Sequence, residues 1–270
     1  MNTPRISASS YSNTAPLVWS FLYGRGRGSV ELILDNAPAR SAELLTQGRV
    51  DAALVPVIAS QFIDDVRVVP GVCVGAKESV RSVCIVTNGQ ALDEVRSISL
   101  DVSSRTSVAL TKIIFREFLG REPEWSDALP DINGMLAASD AALLIGDPAL
   151  AISSGVAGGG QNHRVFDLVE LWGEYTGLGF VFAMWMTLHE RLSIDLAAAR
   201  DEGLAHLDEI AANYSGDIGL TTEAMKDYLS DSISYSLSEK MEEGLRLYLD
   251  LAQKHCLTNE RRPLRFIETS

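Results

Sequence analysis

Asp51-Ala52-Ala53-Leu54-Val55-Pro56-Val57 is the stretch that decides the fold. After Asp51 it is apolar at odd and even positions alike. A strand with one wet face alternates, whereas a strand covered by helices on both faces is apolar throughout, as in a parallel sheet. Reading backward, Pro38-Ala39 opens a helix with Ala42, Leu44 and Leu45 facing inward, and Gly48 closes it. Val30–Leu34 is a strand. Before it, a helix with Leu17, Trp19, Phe21 and Leu22 on its apolar side follows the break Ser9–Pro16, and Arg5–Ala8 is the first strand. Strand, helix, strand, helix, strand within 57 residues is the βαβ rhythm of a parallel sheet.

Reading forward, Val66–Val74 and Ser82–Thr87 keep strand character around Gly71 and Gly75, and then the rhythm restarts. Ser97–Asp101 is a strand, and Ser103–Leu119 a helix with Val108, Ile113, Phe115 and Leu119 on one side. Pro130–Ala138 is a shorter helix, Ala141–Gly146 a strand and Asp147–Ser153 a short helix. Gly155–Gly160 is glycine-rich but lacks the lysine and helix start of a phosphate loop. Gly177–Trp185 is an apolar strand. Ile194–Asn213, Thr221–Leu229 and Glu239–Lys254 are helical, and Leu264–Ile267 is expected to dock as an edge segment. Two βαβ units, with crossings near Val86–Asn88 and Ala183–Thr187, predict an α/β, two-lobed, type II periplasmic-binding-protein-like fold. Residues 1–86 and 187–270 form lobe 1 in this reading, and 87–186 form lobe 2, with the ligand cleft between them.

The chain has 270 residues, enough for one large domain or two small ones. Its 36 acidic residues against 23 basic ones give a net charge of −13, which repels phosphate backbones and anionic lipid. Neither nucleic acid nor a membrane is expected as a partner, and an anionic ligand must be attracted locally. Cys73, Cys84 and Cys256 show no metal-ligand spacing, and the apolar neighbours of the first two predict reduced core thiols. Met1–Ile6 carries no apolar run after a basic start, and no segment approaches the ~20 apolar residues of a membrane span. A cytoplasmic protein is expected.

Four loops carry candidate chemistry. Ser10-Tyr11-Ser12-Asn13-Thr14 stacks polar side chains where a helix cap needs one. Ser103-Ser104-Arg105-Thr106-Ser107 opens a helix after a strand, where free N–H groups, the helix dipole and Arg105 suit a carboxylate or phosphate; a simple cap is the alternative. Arg81-Ser82 lies where the chain crosses between lobes. Gly146-Asp147-Pro148-Ala149 offers close backbone approach at Gly146, with Asp147 either in the site or capping the helix. None of the four histidines (His163, His189, His206, His255) neighbours these loops, and no HExxH, GxSxG or Walker motif is present, so histidine-based catalysis and metal hydrolysis are poorly supported.

These residues carry a family resemblance. Ser10-Tyr11-Ser12-Asn13-Thr14-Ala15-Pro16-Leu17 is similar to an SYxNTxPL signature. Asp51–Val57, Val69–Gly75, Arg81-Ser82-Val83, Asp101–Val108, Leu144–Ala149, and Thr176-Gly177 with Phe180–Ala183 follow in the expected order. Over residues 5–187 the chain resembles the MqnA family, chorismate dehydratases of the futalosine route to menaquinone. Ala39 and Gly179 depart from the serine and proline common there.

The resemblance implies conversion of chorismate, a dicarboxylate, to 3-(1-carboxyvinyloxy)benzoate and water. Asn13 and Ser82 would be catalytic, Asn13 positioning the reacting groups and Ser82 hydrogen-bonding the substrate. Ser10, Tyr11, Thr14, Ser103, Ser104, Arg105, Thr106, Ser107, Gly146 and Asp147 would bind it. No metal or organic cofactor is expected, and a homodimer is left open. Two alternatives stand beside this reading: a non-catalytic small-anion solute-binding protein, and the relative in the same pathway that acts on dehypoxanthine futalosine.

Overall fold

Continuous apolar runs make strands that are buried on both faces, and the chain arranges them as two five-stranded sheets. The computed structural model describes residues 3–157 and 163–268. The chain begins with β1 (Arg5–Ser9), α1 (Ala15–Tyr23), β2 (Glu31–Asp35), α2 (Pro38–Thr46), β3 (Ala52–Pro56) and β4 (Arg67–Ala76). It crosses to the second sheet and lays down β5 (Val83–Thr87), β6 (Ser97–Asp101), α3 (Thr106–Ile113), β7 (Glu124–Ala128) and α4 (Ile132–Ala138). β8 (Ala141–Ile145), α5 (Gly146–Ser153), β9 (Arg164–Asp167) and α6 (Leu168–Thr176) complete that lobe. The chain then returns through β10 (Phe180–Thr187) to α7 (Leu196–Leu204), α8 (Leu207–Ile218), α9 (Thr222–Asp227) and α10 (Glu239–Lys254).

The sheet orders are β2-β1-β3-β10-β4 and β7-β6-β8-β5-β9. In each, the first three strands are parallel, and the fourth, which adjoins a crossing, is antiparallel to its neighbours. This moves both crossings toward the N-terminus of their expected places. β5 pairs with β8 and β9 in the second sheet, and β10 with β3 and β4 in the first, so the chain crosses at 77–82 and 177–179. Both strands are apolar on each face, and that pattern does not say which sheet a strand joins.

Other differences are local. The helix expected over Ser103–Leu119 is α3 followed by a widened, π-type turn at Ile114–Phe118, and the helix over Ile194–Asn213 is broken into α7 and α8. β7 and α6 had no counterpart in the sequence reading. The expected tail docks: Val68 N–H donates to Arg265 O, and Ile267 N–H to Val68 O, on the outer edge of β4. Cys73 and Cys84 are buried, but Cys256 is exposed. Of the glycine-rich stretch, Gly158–Gly160 lie outside the described residues.

One apolar core runs through both sheets, with Trp172, Trp185, Tyr248, Phe115 and Phe180 fully buried in it. α10 packs on the second crossing. A Cβ added at Gly244 would collide with the carbonyl of Gly179, and one added at Gly179 would meet Met241 at 2.7 Å. The first crossing is pinned by Asp167, whose carboxylate accepts from the backbone N–H groups of Val80 (2.8 Å) and Arg81 (2.6 Å) while capping α6. No helix among the described residues is long and apolar enough to cross a membrane.

Candidate functional site

Ser9, Pro56 and Ile145, the last residues of β1, β3 and β8, line one cleft. Ligands of open α/β sheets bind at such carboxyl ends. Tyr11, Asn13 and Thr14 wall it from the first lobe, Ser104–Ser107 and Gly146 from the second, and Phe182 and Ala183 from a bulged part of β10. Arg105 is the one charged side chain among the lining residues, and no carboxylate or histidine is among them.

In the loop after β1, no side chain caps a helix, so capping does not account for its polar density. Thr14 Oγ1 lies 2.7 Å from Ser9 Oγ and donates to Asn13 Oδ1 at 3.3 Å, steadying the Asn13 amide at the cleft wall. The Tyr11 hydroxyl reaches across to Ser103 Oγ at 3.5 Å, and burial pushes its phenol pKa up. The Tyr11 ring lies over Gly146, where an added Cβ would stand 2.7 Å from it; the backbone there, at φ +66°, also favours glycine. Ser10 leaves the cleft: its hydroxyl donates to Asn36 Oδ1 at 2.8 Å.

At the start of α3, Ser104 Oγ accepts from Ser107 N–H at 3.3 Å, so the capping alternative holds for Ser104. The Thr106 hydroxyl donates to Phe182 O at 3.1 Å, and Tyr248 donates to Thr106 O at 3.0 Å, tying the helix start to β10 and α10. Arg105 is half-exposed, 3.7 Å from Glu43 of α2 on the opposite lobe. Ser103 turns inward, its N–H (2.9 Å) and hydroxyl (2.6 Å) both donating to Asp101 Oδ1. Asp101 is buried, its Oδ2 has no partner among the described residues, and burial raises its pKa.

Asp147 is neither in the cleft lining nor a cap of α5. Its carboxylate accepts from the backbone N–H and the hydroxyl of Ser12, joining the lobes, and burial raises its pKa. Ser82 lies behind the lining. Its carbonyl accepts from Gly146 N–H at 2.8 Å, and its hydroxyl is buried without a partner among the described residues.

Sequence reasoning missed Tyr228, just past α9, whose hydroxyl neighbours Ser82 and Asn13. It sits in an ordinary amphipathic helical stretch, which gives no sign of that position. It also missed Phe182 and Ala183 as lining residues, because only the bulges in β10 turn both toward the cleft. Among the described residues, no three His, Cys, Asp or Glu side chains gather so as to hold a metal ion.

A family model described as menaquinone biosynthesis matches residues 4–254. The chain belongs to that family. Within reach of the menaquinone-biosynthesis family is a chorismate dehydratase of Thermus thermophilus, 30% identical over 260 residues that cover 89% of this chain and 92% of the relative. Among solved structures, a protein from Archaeoglobus fulgidus superposes with a TM-score of 0.67 at 16% identity, covering 94% of this chain and 98% of that one. The periplasmic aliphatic sulphonate binding protein of Escherichia coli gives 0.64 at 14%, covering 99% and 94%. At such identities these likenesses speak for the fold, which is the periplasmic-binding-protein architecture expected from the sequence.

Proposed function

We propose that this protein is a chorismate dehydratase, a hydro-lyase that removes water from chorismate to give 3-(1-carboxyvinyloxy)benzoate. The observation that carries the reading is the charge of the cleft: Arg105 is the only ionic side chain in its lining, beside the start of α3 and across from Asn13. One substrate carboxylate meets Arg105 and the positive end of α3. The other lies toward the first lobe, near Tyr11, Asn13 and Thr14.

The reaction breaks the C–H bond at the ether-bearing ring carbon and the C–O bond of the ring hydroxyl. That hydrogen is acidified through the conjugated ring carboxylate, and the product is aromatic, so a strong base is not required. The lining offers no carboxylate or imidazole that could accept a proton. The enolpyruvyl carboxylate of the substrate takes the proton, and the proton departs with the hydroxyl as water. The protein supplies orientation: Asn13 and Ser82 fix the reacting groups in a geometry that a free substrate seldom visits. The site of action is the cytoplasm in this proposal.

Mass spectrometry of chorismate incubated with purified protein tests the reading. Loss of one water from chorismate is expected. Binding without turnover would favour a solute-binding protein, and activity confined to a futalosine-derived substrate would favour the pathway relative.

A further inference from the structure

Four buried hydroxyls stand without hydrogen-bond partners among the described residues, Ser82, Tyr228, Tyr235 and Thr258, and the first three lie together. Native interiors pair almost all such groups, so an unpaired cluster beside a cleft has to be explained. Tyr228 is at its centre. Its residue is 0% exposed, and its hydroxyl lies near the Ser82 hydroxyl and the Asn13 amide without a hydrogen bond to either. Tyr235, also buried, lies near it. The Arg81 guanidinium lies 5.9 Å from the centre of the Tyr228 ring and donates to Ser154 Oγ at 2.9 Å.

The backbone is shaped to deliver this side chain. α9 widens into a π-type turn over Tyr228–Ser232, a distortion frequent at functional sites. Arg81 takes a left-handed φ of +60° just before Ser82, held by Asp167. A strained crossing and a distorted helix end thus converge on the two residues to which the proposed function assigns the chemistry.

We propose that Tyr228 is a positioning residue for the dehydration, its hydroxyl holding the Ser82 hydroxyl and the Asn13 amide from behind while substrate fills the cleft. The inference rests on the proposed function. It assigns the C-terminal helices a part in the active site, although Tyr228 is not among the residues that line the cleft. Asn13 lines the cleft, Ser82 stands just behind the lining, and Tyr228 sets where both point.

Tyr228→Phe removes the hydroxyl and keeps the buried ring. Expected are a melting temperature no lower than that of the wild type, a KM for chorismate within about threefold, and a kcat reduced roughly 10–100-fold. Combining it with Ser82→Ala is the sharper measurement. If Tyr228 acts partly through Ser82, Tyr228→Phe costs less in the Ser82→Ala background than in the wild type, whereas independent effects multiply. A wild-type kcat in Tyr228→Phe, or multiplying effects in the double variant, would overturn the proposal. A wild-type protein that binds chorismate and leaves it intact would overturn the functional reading, and this inference with it. An active wild type with an equally active Tyr228→Phe sinks the inference alone.

Discussion

Ser12 and Asp147 join the two lobes: the backbone N–H of Ser12 lies 3.1 and 3.2 Å from the two carboxylate oxygens of Asp147, and its hydroxyl donates to the first of them. The contact stands next to the cleft, between the loop that carries Asn13 and the one that carries Gly146. A hydrogen bond to a charged group contributes about 1.5–3 kcal/mol. Ser12→Ala is therefore expected to raise the KM for chorismate roughly tenfold, with kcat less affected, because it weakens the contact between the lobes and leaves the chemistry in place. Steady-state kinetics on product formation checks this.

Asn13 is the side chain on which the enzymatic reading depends most. Asn13→Ala should lower kcat ~10²–10³-fold, the usual loss when one preorganised hydrogen bond is removed. Asn13→Asp keeps the shape while adding a negative charge beside an anionic substrate, and should bind chorismate poorly and turn it over slowly. The structure shows no capping bond from this side chain. Full activity in Asn13→Asp, with circular dichroism unchanged, would remove the loop from the mechanism.

Arg105 faces Glu43 across the cleft at 3.7 Å, and Glu43 also accepts from Arg40 at 2.9 Å. A substrate carboxylate must therefore compete with Glu43 for the guanidinium. Arg105→Ala should raise KM far more than it changes kcat, since the interaction is made in ground and transition state alike. Glu43→Gln should move KM the other way. Opposite signs in the two variants are the expected outcome of the kinetics.

Stability should depend on pH in a particular direction. Burial raises the pKa values of Asp101, Asp147 and Asp167. A carboxyl raised in the folded state favours folding fully below its unfolded pKa and loses that contribution as pH rises through the folded value. Glu122 runs the opposite way: its bond from Arg116 holds it at about 2, so its contribution is present above the ordinary carboxyl range and disappears as pH falls through it. With a net charge of −13 adding self-repulsion at high pH, the melting temperature should be higher near about pH 5.5 than at about pH 8, and should fall again below about pH 4. Thermal melts across that range decide it.

Gly244 gives a prediction that goes against helix propensity. Alanine is favoured over glycine inside a helix by about 1 kcal/mol. Gly244→Ala should nonetheless destabilise by about 1–3 kcal/mol, because its Cβ runs into the Gly179 carbonyl at the second crossing. Denaturant unfolding measures the sign directly.

What the sequence made legible follows from the range of the forces involved. β3 and β8 could be read because burial on both faces leaves an unbroken apolar run. β7, Glu-Trp-Ser-Asp-Ala on a sheet edge, is half polar and leaves no such trace. The crossings were misplaced because β5 and β10 are equally apolar whichever sheet they join. In the site, Arg105 and Asn13 were found from loop chemistry after a strand. Ser10, Ser103 and Asp147 carry the same chemistry, but their partners Asn36, Asp101 and Ser12 take them out of the cleft. Tyr228 was out of reach because it comes to Asn13 only through the packing of elements more than two hundred residues apart.

β10 lies between β3 and β4, so β4 has no strand to pair with until the ribosome has passed Thr187. The second sheet comes from one unbroken stretch, 83–176. At about 5–20 residues per second, nascent chain emerges slowly compared with the folding of a small domain. The inserted second lobe can therefore set first, while β1, β2 and β3 wait as a partial sheet with β4 still an orphan. The first lobe closes only when β10 inserts and the segment around Ser234 covers the remaining edge of β4. The lobe whose translation begins first is thus the lobe that matures last.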